Sequence, residues 1–298
     1  MTQTPSFRKL LNEKDVIPIP GTFNALVAKL IEAQGFDAVY CTGAGISTSL
    51  LGLPDIGLIS LSEMTRMVGY ICSAVNLPVL SDADTGFGNA INVIRTVREF
   101  EKIGAAGIHI EDQVAPKRCG HVAGKEVVST EEMVGKIKAA TCARTNPDFI
   151  IIARTDAKSV EGLKGAVERS KRYRDAGADV IFPEALETPE DFSQFSKALP
   201  DIPLLANMTE FGKTPYLSVE EFRQLGYKIV IFPVSTMRIA MKAVEGFLRE
   251  LKSKGTQENS LPQMQTRKEL YDLIGYSQFT VWENEFLLQG GVDPLSKT

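Results

Sequence analysis

The 298-residue sequence predicts an α/β fold in which eight parallel strands alternate with helices and close into a (β/α)8 TIM barrel. Three observations lead to this prediction. Short apolar, β-branched runs recur eight times, a helical pattern follows most of them, and glycine ends several of the helical patterns. Eight buried strands are the number that closes such a barrel, although the same alternation also suits an open, doubly wound sheet.

The predicted strands are the apolar runs, which are too short for buried helices. Continuous runs of this kind are typical of parallel strands that are covered on both faces. They occupy residues 16–20, 38–41, 78–81, 107–110, 149–153, 179–182, 203–206 and 228–232.

Helical patterns fill segments between these runs, and glycine follows three of them. They cover residues 23–34, 92–103, 130–143 and 162–176, with a last barrel helix over 236–254. Gly35, Gly104 and Gly177 stand where a chain leaves a helix, and glycine accepts the left-handed conformation needed there. Ser129 precedes the third segment as an N-cap residue.

The chain continues beyond the last barrel helix. Residues 255–259 break the helical pattern, and two further patterns lie around 263–274 and 281–289. We therefore predict a catalytic barrel domain over 1–255 and a C-terminal helical segment over 256–298. The segment is expected to pack on the barrel or on a neighbouring subunit.

The composition argues against several classes of partner. The net charge of −4 indicates no concentrated basic face for nucleic acid, and no run of about 18 apolar residues could cross a membrane. The polar N-terminus does not resemble a signal peptide. The four cysteines are scattered, which is typical of a reducing compartment. We therefore expect a cytoplasmic protein that acts on a small molecule.

Polar residues follow most of the predicted strands, at the end where barrel enzymes carry their chemistry. Turn chemistry explains some Asp, Asn and Ser residues there. It does not explain Glu111, Arg154 and Glu184, which directly follow apolar runs. We interpret the set as an active site. His109 lies inside an apolar run, and we expect it to be a packed, hydrogen-bonded barrel residue.

Asp82 and Asp84 predict a metal site. They are two residues apart at the end of a strand, so we expect both carboxylates on the same strand face. Convergence with Glu111 and Glu184 would be repulsive unless a cation neutralised the acids. Hard oxygen donors without a Cys and His set favour Mg²⁺, with Mn²⁺ as an alternative.

The connection over residues 113–128 is out of scale for a compact barrel, and loops of this length are usually functional. Cys119 lies in its middle, flanked by Lys117, Arg118 and His121. Neighbouring positive charge stabilises a thiolate, so this thiol is a candidate acid–base group or nucleophile.

The stretch from Glu111 to His121 resembles the signature of the isocitrate lyase and phosphoenolpyruvate mutase superfamily. The likeness extends along nearly the whole chain, from Pro18 to Arg267. The segment Lys-Arg-Cys-Gly-His is specific for the lyases of the superfamily. The pattern and the length are most similar to those of the 2-methylisocitrate lyases.

The resemblance implies a Mg²⁺-dependent carbon–carbon lyase that cleaves 2-methylisocitrate to pyruvate and succinate in the methylcitrate cycle of propionate degradation. It implies a TIM barrel whose eighth helix is exchanged between the subunits of a homotetramer. Related reactions stay open: cleavage of isocitrate or 2,3-dimethylmalate, hydrolysis of oxaloacetate, phosphonate mutase or hydrolase chemistry, and metabolite binding without catalysis.

The resemblance also assigns residues. It implies that Asp82 and Asp84 bind Mg²⁺, with Asp55 and Glu111 beside them. For the chemistry we expect Cys119 to donate a proton to carbon as general acid and Arg154 to stabilise the departing charge. Tyr40 or a carboxylate such as Glu111 is expected to be the base, and the sequence does not decide between them. The substrate-binding set is Thr42, Gly43, Ala44, Cys119, Gly120, His121, Arg154, Glu184, Asn207, Thr209, Arg238 and Arg267. Thr42 and Ala44 stand where the lyases often have Ser and Gly.

Overall fold

The computed structural model describes residues 6–118 and 124–288 of the chain. The chain separates into two compact units, Met1–Ile239 and Ala240–Thr298. The first unit holds the strands, and the second holds most of the last long helix and the C-terminal helices. The assignment of 1–255 and 256–298 as functional domains stays a prediction.

Eight parallel strands form one sheet, in the order β6-β5-β4-β3-β2-β1-β8-β7. They are β1 Ile17–Thr22, β2 Val39–Cys41, β3 Val79–Asp82, β4 Gly107–Glu111, β5 Ile150–Thr155, β6 Val180–Pro183, β7 Leu205–Asn207 and β8 Ile229–Phe232. A parallel bridge between Ile181 and Leu204 joins the β6 edge to the β7 edge. The sheet therefore returns on itself. The predicted barrel is confirmed, and the open doubly wound alternative is wrong.

Helices separate the strands. They are α1 Phe7–Glu13, α2 Ala25–Ala33, α3 Gly43–Leu51, α4 Leu61–Ala74, α5 Ala90–Lys102, α6 Thr130–Ala143, α7 Lys158–Asp175, α8 Pro189–Ala198, α9 Val219–Gln224 and α10 Ser235–Lys254. Ser129 caps α6 as predicted, since its side chain accepts a hydrogen bond from Glu132 N. The helix predicted over 162–176 begins earlier, and Gly162 interrupts α7 with a φ of 77°.

Two apolar layers pack on opposite faces of the barrel strands. Ile150 and Ile152 of β5 belong to the interior cluster, whereas Ile151 and Ala153 pack in the outer layer beneath the helices. The other strands alternate in the same way because side chains leave a strand on opposite faces in turn. Every second strand residue therefore points into the barrel, and the last of them reaches its carboxyl rim.

The second unit is helical. After α10 come a 3₁₀ helix, Glu258–Gln263, then α11, Arg267–Ile274, and α12, Tyr276–Leu288. Thr266 and Glu269 form a reciprocal capping box at the start of α11, and Gly275 ends it in the left-handed conformation. Among the described residues, no helix combines the length and apolar character needed to cross a membrane.

Candidate active site

The inward series of several strands ends in a polar or aromatic residue. In β5 the residue after Ile150 and Ile152 in this series is Arg154, and in β3 the residue after Leu80 is Asp82. Tyr40, Glu111 and Asn207 occupy the same layer on β2, β4 and β7, and Glu184 directly follows β6. The period of two therefore brings together at one rim residues that are far apart in sequence.

A cavity of about 120 Å³ lies at this rim. Its lining combines acids, bases and a small apolar part. The lining residues are Tyr40, Thr42, Ala44, Asp55, Asp82, Lys117, Arg118, Arg154, Phe182, Glu184, Asn207, Thr209, Ile231, Pro233, Val234 and Arg238. Most of the predicted site residues therefore surround one space.

The prediction that Asp82 and Asp84 lie on the same strand face is wrong. β3 ends at Asp82, and Asp84 lies beyond it with a left-handed φ of 46°, so the alternation of a strand no longer applies to it. The backbone instead turns back, and Asp84 N donates a hydrogen bond of 2.8 Å to Asp82 Oδ1. The turn, rather than the strand, keeps the two carboxylates together. Burial raises the pKa of Asp84 to about 6.

Lys117 supplies the positive charge among these acids. Its Nζ lies 2.5 Å from Asp55 Oδ1 and 3.1 Å from Asp84 Oδ1. Burial opposes the charged ammonium, but the nearby carboxylates, first Glu111 and then Asp84, hold the pKa of Lys117 well above its ordinary value. The sequence indicated Lys117 only as a neighbour of the thiol at residue 119. The structure instead places it against the acids of the rim.

The donor set fits a hard divalent ion. Asp84 Oδ1 and both carboxylate oxygens of Glu111 are buried and accept no hydrogen bond of good geometry from the described residues. Their partners are the ion-paired Lys117 and Arg154, so they retain lone pairs for a ligand. No cluster of three His, Cys, Asp or Glu residues close enough to enclose a metal occurs in the described parts of the chain. Mg²⁺ needs no such cage, because it is usually held by one or two carboxylates, water and substrate oxygens.

Arg154 is the central cation of the site. Its Nε lies 2.9 Å from Asp156 Oδ2 and 3.3 Å from Glu111 Oε2, and the guanidinium lies over the Phe182 ring, 5.1 Å from its centroid. Burial opposes the charge, but the carboxylates, first Asp156 and then Glu111, keep the pKa of Arg154 well above its ordinary value. Arg154 is therefore a permanent positive charge at the cavity.

Tyr40 and His109 form a buried pair. The Tyr40 hydroxyl and His109 Nε2 share a hydrogen bond of 2.7 Å, and His109 Nε2 lies 3.6 Å from Asp82 Oδ1. Burial lowers the pKa of His109 to about 4, so the imidazole is neutral near pH 7. Burial, followed by the charge of Asp82, raises the pKa of Tyr40 well above its ordinary value. His109 is packed and hydrogen-bonded as expected, and its partner is a candidate catalytic residue.

The residues that follow β7 and β8, together with the end of β7, add hydrogen-bond donors to the same rim. Asn207 Nδ2 lies 3.2 Å from Glu184 Oε2, and Thr209 follows in the lining of the cavity. Arg238 Nε lies 3.5 Å from Glu210 Oε2, and its guanidinium lies 5.4 Å from the Phe211 ring centroid. Arg238, which the resemblance assigned to the substrate-binding set, therefore lies at the cavity.

The turn after β2 is built for close approach. Thr42 is the N-cap of α3, and its Oγ1 accepts a hydrogen bond of 3.2 Å from Gly45 N. Gly43 opens the helix, and a Cβ there would overlap the Asp82 carboxylate. Together with Ala44, this turn places a hydroxyl and backbone N–H groups beside the acids.

Some predicted residues are not placed at the site. Cys119, Gly120 and His121 lie outside the described residues, and their roles stay predictions. Arg267 begins α11 in the second unit, and its contact with substrate also stays a prediction.

Sequence reasoning missed a second layer of buried charge. Asp112, Lys125 and Asp156 are all buried, and they connect to the site through Arg154. Asp156 follows Arg154 at a strand end, which is a weak signal. Lys125 carries none, because nothing local distinguishes it from a surface lysine.

Comparisons with known proteins agree with this geometry. A family model described as phosphoenolpyruvate phosphomutase matches residues 7–252. A protein named 2-methylisocitrate lyase from Aeropyrum pernix is 56% identical over 272 residues, covering 91% of this chain and 87% of that protein. A protein named 2,3-dimethylmalate lyase from Eubacterium barkeri is 46% identical over 286 residues, covering 96% of this chain and 99% of that protein.

A solved structure extends the likeness to three dimensions. An oxaloacetate acetylhydrolase in complex with the inhibitor 3,3-difluorooxalacetate superposes with a TM-score of 0.90 at 35% identity, covering 97% of each chain. The resemblance inferred from the sequence is confirmed. The chain belongs to the phosphoenolpyruvate phosphomutase family.

Proposed function

We propose that this chain is a carbon–carbon lyase that cleaves 2-methylisocitrate to pyruvate and succinate with the help of Mg²⁺. The observation that carries the proposal is the convergence of Asp82 and Arg154 on one rim cavity, with Asn207 and Arg238 in its lining and Asp84 paired with the lining residue Lys117. The identity of 56% to a protein named 2-methylisocitrate lyase supports the choice of substrate.

The acids of the rim would hold the metal, with Asp82 and Asp84 as ligands and Asp55 and Glu111 beside them. When bound there, Mg²⁺ supplies Lewis-acid chemistry, which lowers the pKa of the substrate hydroxyl and stabilises negative oxygen as the oxo acid forms. Mn²⁺ prefers the same oxygen donors and is an alternative.

The positive and amide side chains would bind the carboxylates of the substrate. In the reaction, the C–C bond beside the carbinol carbon breaks, and its electron pair moves onto the carbon that becomes part of succinate. The departing half is then a strongly charged enolate. Arg154 and Arg238, with Asn207 and Thr209, stabilise this charge because fixed donors in a buried site need no reorganisation.

The reaction needs a base for the hydroxyl proton and an acid for the new C–H bond. Tyr40 lines the cavity, whereas Glu111 is buried against Arg154 and is absent from the lining. Access therefore favours Tyr40. Because its raised pKa keeps the hydroxyl protonated, Tyr40 would take the substrate proton while its own proton passes to the neutral imidazole at His109 Nε2. Cys119 would donate the proton to carbon as general acid, with Gly120 and His121 beside the substrate.

Assembly and location complete the proposal. The long helix α10 has no buried residue, which is the exposure expected of a helix that packs on a second copy. We therefore propose a homotetramer in which the subunits exchange this helix. We also propose that Arg267 contacts the substrate in this assembly. A cytoplasmic location suits the scattered cysteines.

The test is a coupled assay for pyruvate released from 2-methylisocitrate. We expect release with Mg²⁺, loss after treatment with EDTA, and recovery when Mg²⁺ returns. Full activity without a divalent ion would remove the metal from the proposal, and no cleavage with Mg²⁺ present would remove the substrate.

A second candidate is cleavage of 2,3-dimethylmalate, favoured by the 46% identity to a 2,3-dimethylmalate lyase over 96% of the chain. Both substrates carry methyl groups, which suit the apolar Phe182 and Ile231 in the cavity lining. The ratio of kcat/KM for the two substrates, with isocitrate as a third, decides between them.

A further inference from the structure

Both carboxylate oxygens of Asp156 accept hydrogen bonds from the guanidinium of Arg154. Arg154 Nε donates to Asp156 Oδ2 at 2.9 Å, and Arg154 Nη2 donates to Asp156 Oδ1 at 3.2 Å. Two parallel hydrogen bonds fix the plane of a guanidinium, which a single bond would leave free to rotate. Asp156 is absent from the cavity lining, so it acts on the site from behind Arg154.

A second cation holds the same carboxylate. Lys125 Nζ lies 2.8 Å from Asp156 Oδ1, and the two side chains are 1% and 0% exposed. The single negative charge of Asp156 is shared between two cations, Lys125 and Arg154. It therefore compensates the charge of Arg154 only in part. Arg154 therefore keeps positive charge for the cavity.

The backbone of Asp156 is also anchored. Asp156 N donates to Asp112 Oδ1 at 2.8 Å, and Asp112 Oδ2 accepts from the hydroxyls of Thr155 and Tyr173 at 2.7 and 2.8 Å. Tyr173 lies on α7, so the network ties the end of β5 to a barrel helix. A carboxylate held at its backbone and at both oxygens has little freedom to move.

We propose that Asp156 is a positioning residue that orients Arg154 toward the substrate carboxylates, with Lys125 as its countercharge. The proposal rests on the proposed lyase function and adds a residue that touches no substrate. A displacement of a catalytic group by about 1 Å can cost about 10²-fold in rate, so the grip of Asp156 has a measurable consequence.

The first test is Asp156→Asn, which keeps the size of the side chain and removes one acceptor and the charge. We expect kcat to fall about 10²-fold with a smaller change in KM, because Arg154 stabilises charge that appears only as the bond breaks. Lys125→Met should lower kcat about 10-fold. Unchanged kcat in a folded Asp156→Asn enzyme would overturn the proposal.

A double-mutant cycle separates positioning from a general effect on the fold. In an Arg154→Lys background the two-bond grip no longer exists, so adding Asp156→Asn should change kcat by less than about twofold. A purely structural role predicts that the two losses multiply. Multiplying losses would therefore contradict the proposal.

The binding of succinate provides a readout that needs no turnover. By calorimetry with Mg²⁺ present, we expect Asp156→Asn to weaken succinate binding in the wild-type background but not in the Arg154→Lys background. A wild-type protein that binds succinate but does not cleave 2-methylisocitrate would contradict the proposed function. The inference about Asp156 would then be decided by succinate binding in the two backgrounds. Absence of both binding and cleavage would overturn both.

Asp179 offers a matched control. It also lies between two cations, Arg8 at 2.9 Å and Arg144 at 2.6 Å, but it directly precedes β6 and is thus at the opposite rim of the barrel. Asp179→Asn should lower thermal stability without changing kcat, KM or succinate affinity. Loss of kcat in this control equal to that in Asp156→Asn would assign both effects to the fold.

Discussion

At the scale of single residues, the charges at the cavity depend on one another. Lys117 pairs with Asp55, and Arg154 pairs with Asp156, and all four lie largely out of water. Removing one partner leaves the other as a buried charge with less compensation, which costs up to several kcal/mol. Neutral substitutions of similar shape therefore report on function more cleanly than truncation to alanine.

Asp84→Asn should weaken Mg²⁺ binding, because it removes a buried carboxylate whose Oδ1 faces Lys117 and accepts no hydrogen bond of good geometry from the described residues. We expect the Mg²⁺ concentration for half-maximal activity to rise about 10- to 100-fold, with activity restored at high Mg²⁺. Titration of activity with Mg²⁺ measures this. Asp37→Asn, which removes a partly exposed acid paired with Lys14, is the control. An unchanged titration for Asp84→Asn would exclude this residue as a ligand.

Tyr40→Phe should lower kcat about 10²-fold, since it removes the hydroxyl that lines the cavity and bonds to His109. Tyr227→Phe is the matched control, because the Tyr227 hydroxyl is buried without a hydrogen-bond partner among the described residues. Steady-state kinetics on both variants measures the difference. Normal turnover by Tyr40→Phe would leave Glu111 as the remaining candidate base.

His109 should make stability depend on pH. Its pKa is about 4 in the folded chain against 6.5 ordinarily, so between these values the unfolded chain binds a proton that the folded chain does not. Stability is therefore lost as the pH falls from 6.5 toward 4. The free energy of unfolding, measured with urea, should fall between pH 7 and pH 4.5 in both proteins. The fall in His109→Gln should be smaller than that in the wild type by on the order of 2 kcal/mol. The two proteins should respond alike between pH 7 and 8.5, and equal responses at low pH would refute the effect.

At the scale of elements, the start of α3 is where a helix meets the strand β3 that ends at Asp82. Gly43 opens this helix, and the space where its Cβ would lie belongs to the Asp82 carboxylate. A backbone that approaches a functional side chain this closely constrains both elements. The turn between β2 and α3 therefore contributes to the site through its shape as well as through the Thr42 hydroxyl.

Gly43→Ala should displace the Asp82 side chain and abolish most lyase activity while the barrel still folds. Gly135→Ala is the control, because Gly135 lies inside α6 with open space around its Cβ position, and alanine favours a helix there by about 1 kcal/mol. Activity and thermal unfolding of both variants measure the contrast. Normal activity in Gly43→Ala would show that Asp82 tolerates the shift.

At the scale of elements, prediction succeeded where a local pattern decides the structure. All eight apolar runs became strands, and Ser129 became the N-cap of α6, since periodicity and caps are properties of neighbouring residues. Helices α1, α3, α4, α8 and α9 were given no range from the sequence, and two of them, α3 and α9, show why. The first is rich in Gly and Ser, and the second has six residues, too few to show a helical period.

At the scale of the whole molecule, the second unit exposes large apolar side chains. Met241, Leu248, Phe279 and Leu287 are each more than half exposed in the single chain. Such surfaces are uncommon on monomers and usually meet another subunit. Exposure of this kind agrees with the proposed homotetramer.

The protein should therefore be a homotetramer in solution, and Leu248→Glu combined with Phe279→Glu should shift it to smaller species. Light scattering coupled to gel filtration measures the mass. Tyr70→Ser, which removes an exposed aromatic side chain on α4, is the control and should leave the mass unchanged. A monomeric wild type at micromolar concentration would contradict the prediction.

The bridge between Ile181 and Leu204 decided that the sheet closes into a barrel, since the sequence also suited an open sheet. By itself the amino-acid sequence determined the eight parallel strands, the polar residues at their carboxyl ends and the family of the chain. Those properties follow from patterns between neighbours and from motifs that are read along one dimension. Only the tertiary structure decided which charges pair: Lys117 with Asp55 and Asp84, and Lys125 with Asp156 behind Arg154. The physical reason is that the strength of a charge pair depends on distance and burial, and neither quantity exists until distant segments have packed together.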